Sequence, residues 1–293
     1  MISDLPTPEA VIKQHYGSAV NIIEKRVLAG GCINQAYQLR LSNGEHLFLK
    51  ENSASHKLMF QREAEGLCAL TTASGPRVPR PIGYYSSAAT QFLILEWIET
   101  SQPSQNFWEN FGHTLAQLHQ NFGSSFGFST NNYIGTTIQK NRWETDWPTF
   151  FGQNRLLFQM QKAQKQKCID LESSHKLEKL IERLPTILNL GKIKPSLLHG
   201  DLWIGNYLVG PDGEAVLIDP AVYYGHREAD LAMTELFGHF NQRFYEAYIE
   251  TFSLEPGYEV RRELYNLYHL LNHLNIFGAA YLDSVKSVIN RFV

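Results

Sequence analysis

The chain has 293 residues, 43% hydrophobic and 19% charged, with 26 basic and 29 acidic side chains for a net charge of −3. That is enough chain for one large or two modest domains with real cores, and the charge balance excludes a global basic footprint for nucleic acid. No run approaches the roughly 18 apolar residues of a membrane span, and the opening MISDLPTPEA lacks a basic segment followed by an apolar one. Three cysteines, Cys32, Cys68 and Cys168, form neither a CxxC nor a paired framework, so a reducing cytoplasm is expected.

Thr7–Tyr16 reads as a short helix, with Thr7 as cap, Pro8 at its first position and Gly17 ending it. Strand-like runs follow at Ile22–Val27, Ala36–Leu41 and His46–Lys50, separated by a glycine turn and by Ser42-Asn43-Gly44, which predicts an antiparallel sheet. The glycine turn, Ala29–Gln35, can bring backbone N–H groups close to phosphates. Gly30-Gly31 matches neither glycine-rich phosphate fingerprint, however, and alone fits an ordinary hairpin. Lys50 closes the third strand, where it is either a phosphate ligand or a solvated strand-end lysine. In the helix expected over Ser55–Leu70, Glu63 shares a face with Leu67 and Leu70. A carboxylate turned inward needs a cation, and Lys50 is the natural one; Glu65, on another face, is the second choice.

Val78–Pro81 reads as an extended connector and Phe92–Ile98 as a buried strand, with a lobe boundary near residue 99 (units 1–98 and 99–293). Gln105–Gln120 is amphipathic through Phe107, Phe111, Leu115 and Leu118, and His119 reads as a packed or capping histidine. Residues 123–135 look irregular, Trp143–Leu157 looks like an aromatic core wedge, and Gln159–Lys167 looks like a solvated helix face. Helices are expected over Leu171–Leu184, Ala229–Phe237, Phe244–Phe252 and Arg261–Phe277. His269 and His273, four apart, have zinc-ligand spacing, but no third ligand accompanies them.

The chemistry concentrates in Leu197–Asp230. His199-Gly200-Asp201-Leu202-Trp203-Ile204-Gly205-Asn206 is followed, after the turn Pro211-Asp212-Gly213 and an apolar run, by Asp219. The first segment follows the H-R-D-L-x-x-x-N catalytic loop of protein kinases, with Gly200 in place of Arg. A hydroxyl acceptor needs a base, for which Asp201 is the candidate. Magnesium prefers oxygen ligands and keeps several waters, so Asn206 and Asp219 suffice as its protein ligands.

These segments together resemble the fructosamine kinase (ketosamine-3-kinase) family, relatives of the aminoglycoside phosphotransferases. The resemblance runs nearly end to end: GGCIN at 30–34, FLK at 48–50, MFxREAEGL at 59–67, LILEWIE at 93–99, NNYIGTTIQ at 131–139, NxWxxDWxxFF at 141–151, HGDLWIGN at 199–206 and DPAVYYGHREADLAMTELFG at 219–238. HGD alone marks only the superfamily; NNYIG and GHREADLAM are far more particular. The resemblance implies an α+β, bilobal protein-kinase-like fold, with a small N-terminal antiparallel sheet lobe carrying a helix and a larger, mainly helical C-terminal lobe. It implies transfer of phosphate from ATP, with Mg2+, to the 3-hydroxyl of a ketoamine, free or protein-bound, as a deglycation repair. Ribulose- and erythrulose-derived ketoamines are as plausible as fructosamine. By position, Asp201 is the base, Asn206 and Asp219 hold magnesium, and Lys50 with Glu63 holds phosphates. Gly30, Gly31, Cys32 and Asn34 form the phosphate loop, and the backbone of Glu96, Trp97 and Ile98 meets adenine. Trp203, Tyr224, His226 and Glu228 are the acceptor-sugar candidates.

Three departures stand out. Ile204 replaces the Ser common in this family's loop, Asp219-Pro220-Ala221 stands for D-F-G, and no A-P-E follows. With Gly200 in place of Arg, no cation reads an activation-loop phosphate, so a constitutively assembled small-molecule kinase is expected, as monomer or homodimer. Cys32 is either a small loop residue or a redox-responsive thiol like the loop cysteine of some eukaryotic relatives. The competing readings are another small-molecule kinase of the aminoglycoside or choline phosphotransferase type and a catalytically silent nucleotide-binding module.

Overall fold

The computed structural model describes residues 2–28, 34–53 and 56–293. It divides into two compact units, one of residues 1–107 and 208–219, the other of 108–207 and 220–293. The first begins with β1 (Ser3–Asp4) and α1 (Pro8–Tyr16). Thr7 caps α1 by accepting from Ala10 N at 3.1 Å. Then come β2 (Ile22–Val27), β3 (Gln35–Leu41), β4 (His46–Ser53), α2 (Met59–Thr71), β5 (Pro81–Ser86) and β6 (Thr90–Glu96). The sheet order is β1-β5-β6-β4-β3-β2, antiparallel except for the edge strand β1.

Strand alternation builds this sheet. Leu39 and Leu41, Leu47 and Leu49, and Phe92 and Ile94 pack with Val11 and Ile12 of α1 into one buried cluster. The helix α2 packs against β5 and β6 with Phe60, Ala64 and Leu67 buried. It starts later than expected, after Leu58 in the left-handed region (φ 64°) with no side-chain cap. Two further differences are informative. The extended connector expected over Val78–Pro81 leads into a strand that was not expected, Pro81–Ser86; its proline begins it, a strand position that tolerates the missing N–H. The last strand ends at Glu96, so Trp97 and Ile98 lie beyond it.

The second unit opens with α3 (Phe107–Leu118), followed by the hairpin β7 (Asn132–Ile134) and β8 (Thr137–Gln139) and by α4 (Trp147–Phe150). A π-helical stretch, Phe151–Leu157, links α4 to α5 (Phe158–Lys165), and α6 (Leu171–Ile187) and β9 (Ser196–Leu198) come next. The paired strands β10 (Tyr207–Val209) and β11 (Ala215–Leu217) belong mostly to the first unit. Then β12 (Tyr223–Gly225) pairs with β9, and α7 (Glu228–Leu236), α8 (Gln242–Thr251), α9 (Tyr258–Phe277) and α10 (Leu282–Phe292) finish the unit.

The aromatic wedge is real but begins later than expected. Trp147, Phe150 and Phe151 are buried in the core, whereas Trp143 is exposed. Gln159 corrects the solvated-face reading of its helix. It is fully buried, donating to Asn272 Oδ1 at 3.1 Å and accepting from Asn275 Nδ2 at 2.7 Å. Arg155 is also fully buried. Its guanidinium lies 4.0 Å from the Tyr223 ring centroid and 4.6 Å from that of Phe150, and it donates to Lys140 O and Asn141 Oδ1. The terminal helix, unforeseen in the sequence, buries Val285, Ile289 and Phe292. No helix is long and apolar enough to cross a membrane among the described residues.

Backbones come close where α3 meets α8: a Cβ on Gly112 would lie 2.2 Å from Phe244 O. Gly112→Ala is therefore expected to destabilise the fold by about 1–3 kcal/mol, the range for overpacking, and urea melts of the two proteins check it.

Candidate active site

In the first unit the strand β4 carries Lys50 into the interior, 6% exposed. Its Nζ donates to Glu63 Oε1 at 2.7 Å and to Asp219 Oδ1. Burial alone would lower the lysine pKa; the Asp219 and Glu63 carboxylates outweigh it and hold the ammonium charged, above the ordinary lysine value. Burial pushes the Glu63 carboxyl up while Lys50 pulls it down. The alternative Glu65 is occupied by Arg62, at 2.7 Å. Asp219 follows β11 in the left-handed region (φ 54°), a conformation Asp tolerates better than most residues, and its side chain is half exposed. Asn34 Oδ1 accepts from Asn52 Nδ2 at 2.7 Å. Gly30, Gly31 and Cys32 lie outside the described residues. Glu96 pairs with Arg77 and accepts from Arg80 N, Trp97 Nε1 donates to Glu99 Oε1 at 2.8 Å, and Ile98 is buried.

In the second unit the strand β9 runs directly into His199-Gly200-Asp201. The loop is held from behind by Asp230 of α7, which is buried. One carboxylate oxygen accepts from His199 N at 2.7 Å, the other from Gly200 N at 2.8 Å, and His119 Nε2 lies 3.2 Å from the first. His119 Nδ1 in turn meets the Tyr248 hydroxyl at 2.7 Å. Burial keeps His119 below its ordinary pKa, hence neutral, so Nε2–H donates to Asp230 and Nδ1 accepts from Tyr248. Burial would raise Asp230; the bonds from His119 and the Gly200 N–H outweigh it and leave its pKa lowered. Gly200 has φ 84°, and a Cβ there would lie 2.0 Å from Ala221 O. The position takes glycine for that reason, and the arginine of protein kinases would not fit it.

Further along the loop Asn206, buried, donates Nδ2 to Asp201 O at 2.8 Å and to Asp201 Oδ2 at 3.2 Å. Its amide nitrogen is thereby turned to Asp201. Trp203 is half-buried with its ring edge against Phe237, and Ile204 is exposed.

His269, singled out in the sequence only for its zinc-like spacing from His273, lies beside the H-G-D loop. Its Nδ1 is buried without a hydrogen-bond partner, 3.9 Å from Asp201 Oδ1. Burial, reinforced by His273, pushes its pKa down to about 3, so the ring is neutral. The signal was the His269/His273 pair, whose spacing puts both rings on one helix face. Among the described residues no cluster of three or more His, Cys, Asp or Glu could hold a metal.

Two acceptor candidates, Glu228 and His226, are buried and bonded to neighbours. Glu228 is fully buried and forms a two-pronged bond to Arg261, at 2.7 and 2.6 Å. His226 is buried with Nδ1 2.8 Å from the Tyr265 hydroxyl, and burial holds its pKa well below the ordinary value. An acceptor reaching either side chain would compete with these bonds. Tyr224 stands against Trp143, ring centroids 6.3 Å apart, with its backbone paired to Gly127.

A buried lysine held between two carboxylates in one unit, and an H-G-D loop carrying its own asparagine in the other, define an ATP-dependent kinase that phosphorylates a hydroxyl. The fold agrees: the aminoglycoside phosphotransferase APH(4)-Ia superposes with a TM-score of 0.61 at 14% identity, covering 97% of this chain and 98% of its own, which shows the protein-kinase-like architecture alone. A family model for fructosamine kinase matches residues 5–293. A Synechocystis protein named for ketoamine kinase is 42% identical over 281 residues, 96% of this chain and 94% of its own. The chloroplastic protein-ribulosamine 3-kinase of Arabidopsis thaliana is 38% identical, covering 100% of this chain and 89% of its own. A Haemophilus somnus crystal structure named for fructosamine-3-kinase superposes with a TM-score of 0.87 at 30% identity, covering 97% and 96% of the two chains. The chain belongs to the fructosamine kinase family.

Asp230→Asn replaces one acceptor oxygen by a donor facing another donor. It is expected to cost about 3 kcal/mol at neutral pH. Because the folded-state pKa is lowered, the charge contributes stability above the unfolded value of about 3.9 and loses it as pH falls through the folded one. Urea melts of both proteins from pH 7 downward should therefore show the gap narrowing below about pH 4.

Proposed function

We propose that the protein is a ketosamine 3-kinase, transferring the γ-phosphoryl group of Mg-ATP to the 3-hydroxyl of a ketoamine. The ketoamine kinase and ribulosamine 3-kinase relatives support this substrate class. The geometry that carries the reading is the Lys50–Glu63–Asp219 arrangement, which couples a phosphate-binding lysine to a carboxylate suited to a hard cation. The donor set fits magnesium: the Asn206 amide oxygen and the Asp219 carboxylate are hard oxygen ligands, and the remaining positions belong to phosphate and water. Bound there, magnesium would neutralise charge on the transferring phosphate.

The protein's own groups divide the work. Lys50, kept charged by its two carboxylates, holds nucleotide phosphates, and Glu63 fixes its direction. Gly30, Gly31, Cys32 and Asn34 form the phosphate loop, and the backbone of Glu96, Trp97 and Ile98 meets adenine. Asp201, turned by Asn206, takes the proton of the 3-hydroxyl as its oxygen bonds to phosphorus and the bond to ADP breaks. Trp203 offers a ring for one face of the sugar. The 3-phosphate destabilises the adduct and releases the amine, so the reaction serves deglycation of small or protein-bound amines.

The deciding assay supplies Mg-ATP with ribulose-lysine, fructose-lysine, kanamycin and choline in turn, and phosphorus NMR locates the ester. A 3-phosphate on a ketoamine is the expected product; transfer only to kanamycin or choline would move the protein to a sister activity, and ATP binding with no transfer to any would favour a silent nucleotide-binding module. Asp201→Ala should lower kcat by at least about 10²-fold while nucleotide affinity holds. Asp219→Ala should in addition weaken magnesium-dependent ATP binding, read by calorimetry with and without the metal.

A further inference from the structure

One face of α9 leads away from Asp201. His269, at its start, is the histidine beside the carboxylate; His273 and Phe277 follow at four-residue steps, each about 6 Å along the axis. The Phe237 ring lies tilted against His273, centroids 4.6 Å apart, and meets Trp203 edge-on at 6.3 Å. Tyr281 closes the far side, 5.1 Å from His273 and 6.2 Å from Phe277. Ile204 of the loop borders this box next to Gly238, where a Cβ would lie 4.0 Å from it. Its outer rim is open to solvent, with Phe277 56% and Ile204 47% exposed.

Two properties select what this box would bind. Among the described residues none of its rings has a lysine or arginine over its face, so no cation of the chain itself competes for the ring surface that the open rim exposes. His273 Nδ1 lies 2.8 Å from His269 O and must donate to that carbonyl. The tautomer is thereby fixed, and burial keeps the ring neutral, so Nε2 presents a lone pair. Aromatic rings beside a hydrogen-bond acceptor suit an ammonium group.

We propose that this box is the amine subsite of the acceptor: it binds the protonated secondary amine of the ketoamine and the aliphatic arm that follows, the side chain of a glycated lysine. The inference rests on the ketoamine reading above and adds to it the part of the substrate beyond the sugar. Lengths agree. Four bonds of about 1.5 Å separate the 3-oxygen from the amine nitrogen, placing the nitrogen ~5 Å from the reacting hydroxyl, one helical step along the face at His273. The lysine carbons add ~6 Å, another step, and the lysine backbone emerges at the open rim beside Phe277 and Ile204. A protein-bound lysine can therefore be served without the rest of the protein entering the site.

The test measures kcat/KM on three acceptors with the same sugar: ribulose-lysine, its analogue with an ether oxygen in place of the amine, and plain ribulose. Wild type should prefer ribulose-lysine to the ether. Phe277→Ala and His273→Phe, which keeps an aromatic ring but removes the lone pair, should each lower ribulose-lysine about five-fold relative to plain ribulose, mainly through KM. An unchanged ratio in both variants, with ribulose-lysine still phosphorylated, overturns the subsite and leaves the ketoamine reading intact. Wild type that phosphorylates no ketoamine removes both. Light scattering on the same proteins covers the other occupant: a dimer that Phe277→Ala dissociates, with the ratio unchanged, assigns the face to a second copy and also overturns the proposal.

Discussion

The second unit depends on one carboxylate. Asp230 receives three hydrogen bonds, from the N–H groups of His199 and Gly200 and from His119, and is buried while doing so. A charge placed in the interior without an ionised partner survives only when hydrogen bonds replace the water it has lost, and here two backbone dipoles and an imidazole supply three. What this fixes is the backbone at the entry to the H-G-D loop. The direction of Asp201 then follows from chain geometry, refined by Asn206. The Gly200 conformation belongs to the same constraint: with φ positive and the Ala221 carbonyl against its α-carbon, the loop can turn only there.

The segment after Asp219 is tied to the second unit by amides instead of charges. Asn132 donates to Val222 O and Gln139 to Ala221 O, both at 2.8 Å, and Ala221 N returns to His199 O. The hairpin that carries the NNYIGTTIQ sequence is thus a clamp on the residues behind the loop, which explains why a segment with no obvious chemistry accompanies the catalytic motif. Arg155 supports the clamp from below. It bonds Asn141 and lies over Tyr223, so aromatic faces and carbonyl oxygens replace the carboxylate that a buried guanidinium usually requires.

What could be read in advance was the local grammar. Thr7-Pro8 capping, alternation in the first strands, and the H-G-D-x-x-x-x-N spacing each depend on neighbours in sequence, and the Lys50–Glu63 pair followed from a carboxylate on an inward helix face. What could not be read were long-range partners. Glu228 looks like a polar residue near the motif until Arg261, thirty-three positions later, is seen to neutralise it. Gln159 sits in a polar, lysine-rich stretch, yet Asn272 and Asn275 make its burial cheap. Composition reports the polarity of a side chain; only the fold supplies the group that satisfies it. The strand at Pro81–Ser86 was hidden by the proline that begins it, and the terminal helix by an apolar pattern of only three buried positions.

His269 shows how such burial can serve chemistry. A cation 3.9 Å from Asp201 would stabilise the carboxylate and weaken it as a proton acceptor. An imidazole in water would be partly charged near neutrality, but this one is enclosed by the helix and by a second histidine one turn on, and desolvation holds it neutral. It therefore contributes shape and a dipole without a competing charge. His273 repeats the arrangement one turn further out, with its proton directed into the helix and its lone pair away from Nδ1–H. The same physical device, a histidine kept neutral by burial, thus places no cation beside Asp201 and leaves an uncharged ring with a fixed tautomer on the next turn of the helix.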